Sequence, residues 1–162
     1  MFPLGTVLFP GALLPLHVFE ARYRALVRDC LAGTREFGVV LIERGSEVGG
    51  GDVRSDVGTV AEIAEAEELP DGRWALIAVG RRRVRVEGWL PEDPYPAADV
   101  ADWPDAEAGP EHHAAVADLL PLLRRVLALS TEAGDDVVPA TVELSPDPVT
   151  AVYQASAVAP LG

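Results

Sequence analysis

A chain of 162 residues with 49% apolar and 24% charged residues can bury a core as one domain or two small lobes, and its composition is far from that of a disordered segment. Its net charge of −13, from 26 acids against 13 bases, repels nucleic acid and anionic membranes at long range, so a nucleic-acid partner is the minority expectation. All 13 bases are arginine, which leaves no G-x-x-x-x-G-K-[ST] phosphate loop, no Ser–Lys catalysis and no Schiff base within these residues, because a guanidinium stays protonated.

The first segment, Leu4 to Phe9, reads as a short strand stopped by Pro10-Gly11. Its apolar start carries no base before Arg22 and is interrupted by Pro3 and Gly5, so it lacks the form of a signal peptide. No stretch approaches the ~20 apolar residues of a membrane-spanning helix. Together with a single cysteine, Cys30, this makes the cytoplasm the expected compartment. Ala12 to Phe19 is extended, since Pro15 fixes its own φ and restricts Leu14. From Glu20 the period changes. Tyr23, Leu26, Val27, Cys30 and Leu31 recur at helical steps, and Gly33 marks the end of that helix.

Phe37 to Ile42 is a β-branched apolar run that reads as a buried strand. Ser46 to Asp52, with Gly49-Gly50-Gly51, is expected to be a flexible loop; it lacks the strand-then-helix frame of a phosphate site. Val57 to Ala66 and Trp74 to Val79 pair as a hairpin across Pro70-Asp71-Gly72. Arg81 to Trp89 is again a strand, and Tyr95 to Trp103 is expected to add another. Successive short strands with one early helix suggest a twisted antiparallel sheet or small barrel. Asp102 to Glu111 has the composition of a linker. Beyond it Val116, Leu119, Leu120, Leu123, Val126 and Leu127 form an apolar helical face, with Arg124 and Arg125 outside it and a kink or two abutting helices expected at Pro121. Asp135 to Ser145 shows no clear period. Asp147-Pro148 is an N-cap with proline at N1, opening a last helix through Val158 with a wide apolar face that needs a partner.

The opening Phe2-Pro-Leu-Gly-Thr-Val-Leu-Phe-Pro-Gly-Ala-Leu-Leu-Pro-Leu-His-Val-Phe-Glu-Ala-Arg-Tyr-Arg-Ala-Leu26 resembles the N-terminal substrate-binding domain of Lon proteases, above all its small stand-alone bacterial members. The likeness continues through Phe37–Ile42, Val57–Ala61, Leu69–Arg73, Val79-Gly-Arg-Arg-Arg-Val-Arg-Val86 and Pro94-Tyr-Pro96, and more weakly through Asp147-Pro148 and Ser156–Pro160. The resemblance implies an α+β fold: a PUA-like antiparallel β-barrel lobe with one inserted helix over residues 1–103, followed by a helical lobe over 104–162. The family's usual Arg-Gln-rich continuation does not follow, so the helical lobe is expected to be cut short at its C-terminal end. The resemblance also implies recognition of polypeptides without cutting them. The expected partners are unfolded or extended polypeptides, or a protease or chaperone, with self-association through the helical lobe, and no cofactor, metal or membrane.

Two surfaces compete as the binding site. Phe9, Leu13, Leu14 and Phe19, with His17, Glu20, Arg22, Tyr23 and Arg24, sit where the extended segment meets the first helix and would form an apolar patch rimmed by charge. The bland alternative is that the apolar members close the core. In the run Arg81-Arg82-Arg83-Val84-Arg85, strand alternation puts Arg81, Arg83 and Arg85 on one face, where they would bind RNA or another anion. The favoured alternative pairs them with Glu62, Glu65, Glu67 and Glu68 across the hairpin. No aromatic residue interleaves that run for base stacking. His112-His113 point about 100° apart on a helix with no third ligand, and Cys30 lies on the apolar stripe, so a metal site and a thiol nucleophile are both disfavoured. Neither G-x-S-x-G nor H-E-x-x-H appears, which leaves a hydrolase with the least support.

Overall fold

The structure is a computed structural model that describes residues 1–45 and 51–160. Of the loop expected over Ser46 to Asp52, residues 46–50 lie outside the described residues. The chain divides into two compact units, Met1–Pro104 and Asp105–Gly162.

The first unit holds β1 (Phe2–Leu4), β2 (Leu13–Val18), α1 (Ala21–Ala32), β3 (Glu36–Arg44), β4 (Val53–Glu68), β5 (Trp74–Trp89) and β6 (Ala98–Asp102). The six strands form one sheet in the order β1-β3-β4-β5-β2, with β6 pairing the far half of β5. The two long strands β4 and β5 each serve different partners along their length, and the sheet curls into a half-barrel. The expected α+β class, with one helix inserted among the strands, is what forms. One pair departs from an antiparallel sheet, because β1 runs parallel to β3, with Phe2 opposite Val39 and Leu4 opposite Leu41. The first strand is therefore Phe2–Leu4 and not Leu4–Phe9. Phe2, Pro3 and Leu4 gain burial there, and Gly5 releases the chain to solvent. Likewise the last strand spans Ala98–Asp102 and not Tyr95–Trp103, since Pro94 and Pro96 have no N–H to give a ladder.

α1 lays its stripe on one face of the sheet. Tyr23, Leu26 and Val27 pack with Phe2, Leu14, Val18, Phe37, Ile63, Trp74 and Leu76. The Phe2 and Tyr23 rings stack at 4.0 Å between centroids. Each such side chain removed from water contributes on the order of 1.5–3 kcal/mol. Burial also pushes the Tyr23 phenol up to about 12. The helix ends at Gly33, and the N–H of Arg35, at φ 63, closes back onto the Cys30 carbonyl at 2.8 Å. Thr59 is buried as well, and its hydroxyl donates to the Leu8 carbonyl at 2.6 Å. Thr59→Val keeps the shape and strands that carbonyl. We expect a loss of roughly 2 kcal/mol, and a thermal melt about 8–16 °C lower checks it. An unchanged melt would mean the bond contributes nothing net.

The second unit holds α2 (Pro110–Ala133) and α3 (Pro148–Val158). α2 runs through Pro121 as one continuous helix, so of the two expected forms the pair of abutting helices does not occur. Pro121 is exposed, while Leu119 before it and Leu123 and Leu127 after it join one cluster with Val142, Leu144 and Ala155, so the helix is packed on both sides of the proline. Two other expectations reverse here. Val126 is exposed, whereas Arg124 is half-buried and donates through Nε and Nη2 to the Val142 carbonyl at 3.1 and 2.9 Å. α3 opens as its sequence predicts, with the Asp147 carboxylate accepting from Thr150 N–H at 2.8 Å and Pro148 in the first turn. Its small residues Ala151 and Ala155 form the buried side.

Candidate functional site

Strand register decides which side chains share a surface. In β2, Leu13 lies opposite Val79, Pro15 opposite Ile77 and His17 opposite Ala75. In β4, the partners of those same three β5 residues are Glu62, Glu65 and Glu67. Three rungs therefore stand on the face away from α1: Leu13–Val79–Glu62, Pro15–Ile77–Glu65 and His17–Ala75–Glu67. Leu13 is 68% exposed and Ile77 38%, and Phe19, one residue past β2, is 55% exposed. Leu14 and Val18 alternate into the α1 core. A bulge at Ala64 keeps Glu65 and Glu67 on this face, because Ile63 pairs with Ala78 and Glu65 with Ile77.

The nine residues expected at the junction of β2 and α1 are thus divided. Leu13, His17 and Phe19 are exposed, whereas Leu14 and Tyr23 are core and Phe9 is half-buried. The charged three hold the helix in place. Arg22 Nε meets the Glu20 carboxylate at 3.0 Å, and its guanidinium lies 4.5 Å from the Tyr23 ring centroid. Arg24 Nη1 donates to the Gly72 carbonyl at 3.3 Å, tying α1 to the β4–β5 turn. Of the expected apolar patch Leu13 and Phe19 stay at the surface, Leu14 is lost to the core, and Ile77 and Val79 of β5 join from the neighbouring strand. Trp74 to Val79 is apolar on both faces, so its sequence carries no alternation to mark the exposed side.

The arginine run departs from expectation. Val60 lies opposite Arg82 and Ala61 opposite Gly80, leaving Arg81 as the extra residue of a bulge. That bulge reverses the alternation, so Arg81, Arg83 and Arg85 do not share a face. Arg81 Nε pairs with Glu62 at 2.7 Å, and Arg82 on the same side bridges Glu36 at 2.8 Å and Asp102 at 2.9 Å. Arg83 and Arg85 fall on the α1 side, 4.9 and 4.4 Å from the centroid of the Trp103 ring. Among the described residues Glu62 is the one of the four expected carboxylates that pairs with this run; Glu68 instead meets Arg28 of α1 at 3.2 Å. Glu65, Glu67 and Glu68 lie beside Ile77, Ala75 and Trp74, too far along β5. An aromatic partner does reach the arginines, from the end of a neighbouring strand rather than from within the run.

One cluster has no sequence signature. Arg54 grips both oxygens of Asp52 at 2.6 and 3.2 Å, reaches Glu92 at 2.7 Å and lies 4.6 Å from the Trp89 ring centroid. The guanidinium holds the Asp52 carboxyl below the usual carboxylate range. This clamp fastens the start of β4 to the chain after β5. Cys30 donates to the Glu36 carbonyl at 3.2 Å, and burial pushes its thiol up, the direction that disfavours a thiolate nucleophile. The Nδ1 of His112 accepts from Gly109 N–H at 2.8 Å, which gives it a helix-capping role. No group of three His, Cys, Asp or Glu is placed to hold a metal among the described residues.

Comparison with known proteins agrees with this architecture. The Lon N-terminal domain protein from Xanthomonas campestris superposes with a TM-score of 0.57 at 36% identity, over 81% of this chain and 71% of that one. The N-terminal domain of a Mycobacterium avium complex Lon protease shares the fold at a TM-score of 0.58 and 22% identity, over 82% of this chain and 69% of that one. Among curated proteins, Lon protease 2 of Herpetosiphon aurantiacus is 30% identical over 144 residues, 87% of this chain but 18% of the protease. A Lon protease of Cytophaga hutchinsonii is 37% identical over 97 residues, 59% of this chain and 12% of the protease. The chain therefore spans less than a fifth of these curated relatives. The model of the ATP-dependent protease La (LON) substrate-binding domain matches residues 1–162, and the chain belongs to that family.

Proposed function

We propose that this chain is a non-catalytic recognition module that holds polypeptides in unfolded or extended form, as an adaptor to a protease or chaperone. The observation that carries the reading is the exposed apolar surface of Leu13, Phe19 and Ile77 on a sheet whose other face is already filled by α1. Apolar residues clustered on an exposed sheet face mark a contact surface, and extended chains expose the apolar side chains that folded proteins bury. The family description, which names substrate binding, points the same way. Absence of turnover follows, in this reading, from a chain without lysine and without a spaced nucleophile–base pair. No helix among the described residues is long and apolar enough to cross a membrane, and the proposed place of action is the cytoplasm. Self-association is assigned to the helical unit, where Leu122, Val126 and Leu129 are exposed at helical steps along α2.

The test immobilises the chain and offers it one polypeptide in two states, native and reduced-and-alkylated. We expect retention of the unfolded state alone. Equal retention of both, or of neither, removes the reading. The Arg83–Arg85–Trp103 cluster favours a second one, single-stranded RNA held by cation and ring. An Arg85→Glu change that leaves filter retention of RNA unaltered would dismiss it.

A further inference from the structure

We propose that the face built by β2, β5 and β4 selects extended segments in which apolar residues are neighboured by arginine or lysine. The proposal rests on the polypeptide reading above and adds the chemistry of the occupant. The three rungs set a column of carboxylates beside the apolar column, about 4.8 Å away, with same-face residues roughly 7 Å apart along each strand. Glu62 is neutralised by Arg81 at 2.7 Å. Glu65 and Glu67 are exposed and have no ion pair among the described residues, so two like charges stand unrelieved on the flank of Ile77 and Ala75. A cation arriving beside an apolar side chain answers both features. An acidic segment meets repulsion at the same place, reinforced by the net charge of −13.

The occupant lies across the face and does not extend the sheet. Gly80 N–H donates to the Ala12 carbonyl at 2.9 Å, which makes the even-numbered residues of β2 the ones bonded to β5. Leu13, Pro15 and His17 then turn their backbone groups to the edge, and Pro15 has no N–H to offer there. A strand added at that edge would also stand three strand spacings, about 14 Å, from the glutamates, beyond the reach of a lysine or arginine. A preference for cations therefore distinguishes docking on the face from docking at the edge.

The experiment titrates labelled peptides of one apolar pattern, with the intervening positions all arginine, all glutamine or all glutamate, against the full chain at low and high salt. It is repeated with Glu65→Gln/Glu67→Gln and with Leu13→Ser/Ile77→Ser, each checked by thermal melting. We expect the arginine peptide to bind about tenfold tighter than the glutamate peptide at low salt. In the double glutamine variant that ratio should collapse to within about twofold. Equal binding of the three peptides, or an undiminished ratio in the glutamine variant, overturns the proposal. The polypeptide reading survives that result if the glutamine peptide still binds and weakens in Leu13→Ser/Ile77→Ser. If no peptide binds, the polypeptide reading itself fails and takes this proposal with it.

Discussion

Replacing Leu13 and Ile77 together by serine is expected to weaken capture of an unfolded polypeptide about thirtyfold while costing only a few degrees in the melting temperature. Leu13 is 68% exposed and contributes little to folding, whereas Ile77, at 38%, is more than half buried, so the pair lowers the melt by a few degrees without unfolding the sheet. A bound segment would cover them. Covering a Leu or Ile from a partly exposed state is worth about 1 kcal/mol each, and the pair about 2 kcal/mol, or roughly thirtyfold in affinity. Titration of a labelled, reduced-and-alkylated chain measures the first quantity and calorimetry the second. Leu14→Ser makes the contrast, since Leu14 is core and its loss should lower the melt first. If the exposed pair can be changed with affinity intact, the binding surface lies elsewhere on the molecule.

Gly80→Ala is expected to be among the most damaging single methyl additions in the sheet. A Cβ at Gly80 would run into the backbone carbonyl of Phe9, and nothing flexible stands there to yield. The segment Phe9–Ala12 is bound to Gly80 from both directions, by Gly11 N–H to its carbonyl at 2.8 Å and by its N–H to Ala12 at 2.9 Å. Relief of the clash must push that segment away, and β2 with it. We expect a loss of more than ~3 kcal/mol, read as a fall of at least about 12 °C in the melt, together with loss of peptide capture. Gly88→Ala is the control. It lies on the same strand with nothing within 4 Å of a new Cβ, and should be close to neutral. Equal tolerance at both positions would show that Phe9 can move freely.

Local signals in the sequence were enough for several elements. The helix of Tyr23, Leu26 and Val27, the buried Phe37–Ile42 strand, the Pro70-Asp71-Gly72 hairpin and the Asp147-Pro148 helix start each carry a period or a cap that short-range sterics dictate. What stayed hidden depends on pairing at long range. Phe2–Leu4 becomes a strand only because β3 is beside it. Pro121 stays inside a helix only because Leu119, Leu123 and Leu127 are packed on either side of it. The proposed surface shows the same division. Leu13, His17 and Phe19 could be proposed from their own segment, but Ile77, Glu65 and Glu67 join them through register alone. The arginine run failed most instructively. Strict alternation gave three arginines on one side, and one extra residue at Arg81 was enough to send Arg83 and Arg85 to the other.

The missing N–H at Pro15 bears on how such a molecule would let go. Cargo held by an edge has to be unzipped one backbone bond at a time, and a chain that lingers there can template the next. With that edge interrupted, a chain docked on the proposed face would be held by its side chains, each of which can detach independently. On the proposed reading, release would then be a matter of sliding and peeling, as a carrier that surrenders its cargo requires.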